Sequence, residues 1–227
     1  MASRPEAEAG RAKPRLLPSA LAAAALAGVL WYGHTSGGGA AEGPGSAAAV
    51  EAGPAVAGAV QEWPADGPIV PSHLLIPAIG VDAEVGSRGT ARYENPFTGQ
   101  QVDGYGVPES MHTTSWWSDG PQPESGQMAV VLGHEDAGDG AAVFDDLTAL
   151  HAGDEVRLRA EDGGTLRLQA LGEPVTGLDK ATSALADTLN GHPDGADVAL
   201  VTCGGAFDPD AGAREGNTVV FASVVRG

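Results

Sequence analysis

The chain of 227 residues carries 30 acidic against 12 basic side chains, a formal net charge of −18, and one cysteine, Cys203. No disulfide can form within it, and a surface this acidic repels polyanions, which argues against nucleic acid and anionic lipid headgroups as partners. Solubility, or tolerance of salt, is the plainer reading of that charge.

Arg4, Arg11, Lys13 and Arg15 lie within residues 1–15, ahead of an uncharged apolar run over 16–32. Basic residues before an apolar segment predict a cytoplasmic N-terminus. Seventeen residues at helical rise cover about 25 Å, the short end for a spanning helix and longer than most signal-peptide cores. Trp31 and Tyr32 suit an interfacial anchor at the outer end. The segment therefore reads as an uncleaved signal anchor with the rest of the chain extracellular. A cleaved signal peptide is the alternative, although the small residues Ala47, Ala48 and Ala49 lie far beyond the apolar run. Residues 33–67 are rich in Gly, Ala and Pro, with too little large apolar surface to fold. They read as a flexible tether of about 30–35 Å r.m.s. length.

Residues 68–227 have the size of one domain. Of the charged groups, eight basic and twenty-four acidic side chains fall here, a net −16. Short apolar or alternating runs closed by Gly, Pro or Asp predict strands over 73–79, 81–85, 127–133, 155–160, 165–170, 197–203 and 218–225. The run at 127–133 is continuously apolar, which predicts burial on both faces. The runs at 155–160 and 165–170 alternate across Glu161-Asp-Gly-Gly164 and predict a hairpin. Two segments look helical: 142–150, with Phe144, Leu147 and Leu150 at spacing three, and 183–190. About eight strands with one or two short helices imply a mainly β domain, a closed barrel or a sandwich.

Exported proteins usually pair their cysteines or lack them, so Cys203 has two readings: a working thiol, or a small buried hydrophobe. It ends the apolar run Asp197-Val-Ala-Leu-Val-Thr-Cys203. His134 follows the 127–133 run in the same way. If these two strands are neighbours running in the same direction, thiol and imidazole meet, which is the pair that a cysteine nucleophile needs. The other histidines, His34, His73, His112, His151 and His192, occupy the tether, turns or strand edges and read as surface residues. Arg214 precedes the final strand. A return loop from Cys203 would bring its guanidinium level with the thiol, where it can hold an oxygen that gains negative charge during acyl transfer. By itself it reads more readily as a solvated loop arginine.

Hydrophobic-Thr202-Cys203, an Arg before the last strand and Gly133-His134-Glu-Asp136 upstream together resemble the sortases, in detail the class E and F housekeeping type. Leu75-Ile-Pro-Ala-Ile-Gly-Val-Asp82 resembles the family's first strand, Trp117-Ser-Asp-Gly-Pro-Gln-Pro123 the segment leading to the His strand, and Leu200-Val-Thr-Cys-Gly-Gly205 the Thr-Leu-x-Thr-Cys signature. Glu124-Ser125 departs from a common Gly, and Glu215-Gly216 from a common Asp after the Arg. The resemblance implies an eight-stranded sortase β-barrel and a cysteine transpeptidase without cofactor. It makes Cys203 the nucleophile, His134 the general acid and base, Arg214 the oxyanion partner, and Thr202 a residue that helps shape the substrate groove. It implies as substrate an exported protein with a Leu-(Pro/Ala)-x-Thr-Gly sorting signal, and as acceptor a peptidoglycan precursor amine.

Two rivals stand beside this reading. An L,D-transpeptidase is also an exported cysteine acyl transferase, but Val201-Thr-Cys-Gly-Gly205 does not fit its Ser-x-Gly-Cys signature. A tethered β-barrel with an inert thiol would be a binding module. Residues 136–140, Asp-Ala-Gly-Asp-Gly, resemble part of a calcium loop but lack the later bidentate Glu, so no metal is expected.

Overall fold

The computed structural model describes residues 61–135 and 142–226. In chain order the strands are β1 (Trp63–Pro64), β2 (Pro71–Ile76), β3 (Val81–Arg88), β4 (Thr90–Glu94), β5 (Gln101–Tyr105), β6 (Thr114–Trp117), β7 (Ala129–Gly133), β8 (Glu155–Ala160), β9 (Gly164–Ala170), β10 (Val175–Asp179), β11 (Val198–Asp208) and β12 (Ala213–Val224), with a helix, α1 (Ala184–Asn190), between β10 and β11. Strands pair in the order β9-β8-β2-β3-β6-β7-β11-β12, and β12 returns to β9 through Ala222↔Ala170, Ser223↔Gln169 and Val224↔Leu168. That last pairing closes an eight-stranded barrel, which removes the open edges a flat sheet would expose. β1 and β10 add to the outside of β9 and β12, and β4 and β5 form a separate hairpin.

Alternation along the strands divides the apolar residues between two cores. Leu74, Ile76, Val131, Leu158, Leu168, Leu200 and Val220 fill the barrel. Val130, Leu132, Ala199, Val201, Val219 and Phe221 face outward, where Leu178 of β10 and Leu185 and Leu189 of α1 cover them. Strands covered on both sides must be apolar at every position, which is why β7 is buried throughout and reads as a continuous run rather than an alternating one.

The hairpin expected at 155–170 forms, with Arg159↔Thr165 flanking the turn. The helix expected at 183–190 is α1. At 142–150 the expected helix is replaced by turns and one 3-10 turn, Leu147–Ala149. Phe144, Leu147 and Leu150 are all fully buried. A repeat of three residues eclipses side chains on a 3-10 turn and drifts on an α-helix, so the spacing fits the tighter form.

The folded unit begins earlier than residue 68. Trp63 and Pro64 pair in parallel with Gly164 and Thr165, and the Ala65 amide donates to the Thr165 carbonyl at 3.0 Å. The end of the segment read as tether is thus laid against the barrel wall. The expected anchor at 16–32, the tether up to residue 60 and the calcium-like fragment at 136–140 lie outside the described residues. Among the described residues, no helix is long and apolar enough to cross a membrane.

Candidate active site

Cys203 and His134 come from neighbouring strands. β7 and β11 run parallel, with Ala199↔Val130, Leu200↔Val131 and Val201↔Leu132 in register. Both residues stand two positions beyond the last of these pairs. Leu132 and Val201 share the outward face, so the two-residue period of extended chain returns His134 and Cys203 to that same face. Adjacent strands lie about 4.8 Å apart, which sets the backbones that carry imidazole and thiol side by side at the strand ends. The condition set by the sequence, neighbouring strands of the same direction, is met.

His134 is oriented by its Nε2, 3.2 Å from the Pro108 carbonyl oxygen. A carbonyl only accepts, so Nε2 carries a hydrogen in this arrangement and Nδ1 is the nitrogen that exchanges a proton. Its backbone is held as well, because the Phe144 amide donates to the His134 carbonyl at 2.9 Å. Gly133 allows Phe144 this position: a Cβ there would fall 2.3 Å from Phe144 Cδ2. The glycine before the histidine is therefore a matter of close approach.

Arg214 lies within β12 and not in a loop before it, since this strand begins at Ala213. β11 likewise continues past Cys203 to Asp208. Pairing shifts between Gly204↔Gly216 and Phe207↔Arg214, so that Gly205 and Ala206 oppose Glu215 alone. Bulges of this kind re-aim side chains beside active sites. Here the bulge turns the Gly205 carbonyl toward Arg214, whose Nη1 donates to it at 2.8 Å. Arg214 Nε is 3.3 Å from Glu135 Oε1, and both side chains are largely shielded from solvent. The guanidinium thus bridges the residue after His134 and the second residue after Cys203. Three residues far apart in sequence converge on one end of the barrel.

Residues 74–225 match the family model of the sortase domain. The chain belongs to the sortase family. Solved structures to which this sortase is similar include sortase C-1 from Actinomyces oris, at 18% identity and TM-score 0.47 over 68% of this chain and 73% of that one. A lid mutant of sortase A from Corynebacterium diphtheriae has 18% identity and TM-score 0.46 over 71% and 73% of the two chains. No curated protein matches the chain. Sortases are cysteine transpeptidases, and Cys203 is a free, partly buried cysteine in this one.

Thr202 is placed differently from the expectation. Its side chain is fully buried and paired in register with Thr218, on the pleat face opposite Cys203 that leads into the barrel with Leu200 and Val220. The Thr202 side chain therefore does not line the groove at Cys203, because a strand sends alternate side chains to opposite faces. Its carbonyl accepts from Asn217 Nδ2 at 3.2 Å, and Asn217 is the register partner of Cys203. Thr202 supports the wall behind the thiol.

Two residues at the site escape the sequence reading. Glu135 is half-buried, and burial pushes its carboxyl above the ordinary glutamate value; Arg214 and Lys180 oppose that rise, and Asp145 adds to it. Lys180 lies just beyond β10 with its Nζ 3.2 Å from Cys203 Sγ. Apart from Lys13, Lys180 is the only lysine in the chain, and the only one among the described residues. Composition alone could have singled it out; its contact with a residue 23 positions later could not be read.

Proposed function

We propose that this sortase is a membrane-anchored transpeptidase of the housekeeping type, extracellular in its catalytic domain, that cleaves a Leu-(Pro/Ala)-x-Thr-Gly signal between Thr and Gly. The observation that carries the reading is the placement of Cys203 and His134 at matching ends of parallel neighbours, with Arg214 bridging Glu135 and Gly205 just beyond them. Cys203 sulfur attacks the Thr carbonyl carbon, and the thiol proton passes to His134. The C–N bond then breaks as the imidazolium gives that proton to the departing Gly amine. A thioacyl enzyme remains. A peptidoglycan precursor amine attacks it, His134 takes the amine's proton, and the C–S bond breaks to release an amide and the thiol. The acyl group's energy is conserved in the thioester, so no nucleotide is required. Arg214 supplies the nearby positive charge that an oxyanion needs. The apolar run at 16–32 supports the anchor, which would keep the enzyme beside exported clients and lipid-linked precursors.

Incubation of the full chain in detergent with a panel of sorting-signal peptides and a glycine or diamine acceptor tests this by mass spectrometry. Wild type is expected to give the Thr-linked amide, and Cys203→Ala none. Cleavage that survives Cys203→Ala would remove the thiol from the reaction.

A further inference from the structure

Lys180 is 3% exposed, yet it is a lysine. Burying an ammonium is costly unless charged or hydrogen-bonding groups replace its water. Its backbone is clamped from two directions: the Lys180 amide donates to the Glu215 carbonyl at 2.9 Å, and Asn95 Nδ2 donates to the Lys180 carbonyl at 2.8 Å. Asn95 is itself buried, in the turn that joins β4 to β5, where its Oδ1 accepts from the Phe97 amide at 2.9 Å. A lysine on flexible surface chain has no such supports. Two structural elements are spent on holding this one so that its Nζ meets the sulfur at 3.2 Å.

We propose that Lys180 is a fourth catalytic side chain, whose ammonium holds the Cys203 thiolate. An ammonium can only donate, so the sulfur is the acceptor in this contact, and an anionic sulfur accepts more strongly than a thiol. The thiol proton leaves for His134, while Lys180 keeps its own protons throughout. When sulfur attacks, its charge passes to the carbonyl oxygen on the Arg214 side. When the thioester is resolved, the C–S bond breaks with its electron pair on sulfur, and the same ammonium receives the leaving thiolate. Among the described residues, the charged and titratable groups at the site are His134 and Glu135 after β7, Asp145 in the turn that follows, Lys180 after β10, and Arg214 on β12. Of these, Lys180 places its ammonium 3.2 Å from the reacting sulfur. This role rests on the thiol chemistry proposed above, but it requires no particular sorting signal.

The chain has one cysteine, so alkylation by iodoacetamide reports on Cys203 alone. Labelling of the full chain is followed by mass spectrometry from pH 5 to 9, for wild type, Lys180→Met, Lys180→Gln and Lys180→Arg. The expected result is about tenfold slower labelling at pH 7 in the Met and Gln variants, ~1.4 kcal/mol, with the rise of the profile moved to higher pH and largely restored in Lys180→Arg. A merely structural lysine would not move that profile. Gln retains a donor without charge, so it carries the test if the Met variant does not fold. Wild-type rate and profile in a folded Met or Gln variant would overturn the proposal. Slow labelling of these variants together with a wild type that cleaves no sorting peptide would uphold Lys180 and reject the substrate. Peptide transfer with unchanged labelling would do the reverse.

Discussion

Glu135 is the side chain at which charge and burial oppose each other most directly. Its carboxyl is pushed upward by loss of water, and the Arg214 guanidinium recovers only part of that cost. A carboxyl whose folded value is raised contributes stability that is complete below the unfolded value and is lost as pH rises through the folded one. Glu135→Gln should therefore lose less stability than wild type as pH rises above the ordinary glutamate value, read as the difference in urea midpoints along that rise. A constant difference at all pH values would show that Glu135 does not titrate differently on folding. Glu124 is a second strained residue, with φ +66 in the left-handed region. The resemblance places a common glycine at Glu124-Ser125, and Glu124 adopts the left-handed backbone that favours glycine. Its Oε2 is buried with no hydrogen-bond partner among the described residues, and its ion pair with Arg226 is a long 3.5 Å. Left-handed backbone costs a non-glycine residue roughly 1 kcal/mol, and exposed ion pairs return little. Glu124→Gly is expected to raise stability by about 0.5 kcal/mol in chemical denaturation, with activity unchanged.

Among the elements, β7 and β11 determine the site. Their parallel pairing aligns the ends from which His134 and Cys203 project, and both strands are rigid because each is packed on two sides. Gly133 shows how narrow the tolerance is. A methyl group there meets the Phe144 ring, and Phe144 in turn holds the His134 carbonyl. Gly133→Ala should destabilise the domain by about 2 kcal/mol, the usual range for overpacking, and should slow peptide transfer more than the lost folded fraction explains. Unfolding curves and kcat/KM measured on the same samples separate the two. The strands β1, β4, β5, β6 and β10 were not expected from the sequence. β4 and β5 bury few side chains and carry Arg, Glu, Gln and Asp, so no apolar pattern marks them. Their use becomes visible only where the Asn95 turn reaches Lys180.

For the molecule as a whole, a net charge of −16 on residues 68–227 sets carboxylates against one another over a small surface. Salt at about 0.5 M reduces the screening length to roughly 4 Å, so the thermal midpoint is expected to rise as salt is added from low ionic strength. A midpoint that falls would mean that attractive pairs such as Arg214–Glu135 outweigh the general repulsion. Seven of the eight barrel strands, all but β6, the hairpin at 155–170 and α1 were legible in the sequence because their periodicity and turn residues act over a few positions. The local motifs around His134 and Cys203 marked two of the residues that meet at the site for the same reason. Barrel closure through β9 and β12, the interior placement of Thr202 and the bulge that turns Gly205 toward Arg214 were not legible. Nor was the approach of Lys180 to sulfur. Each depends on which strands become neighbours and which face a residue takes, and a chain of amino acids states its local preferences but not its distant partners. Pairing across the sheet decides those, because the free energy that fixes them is released only when segments far apart in sequence bury their surfaces together.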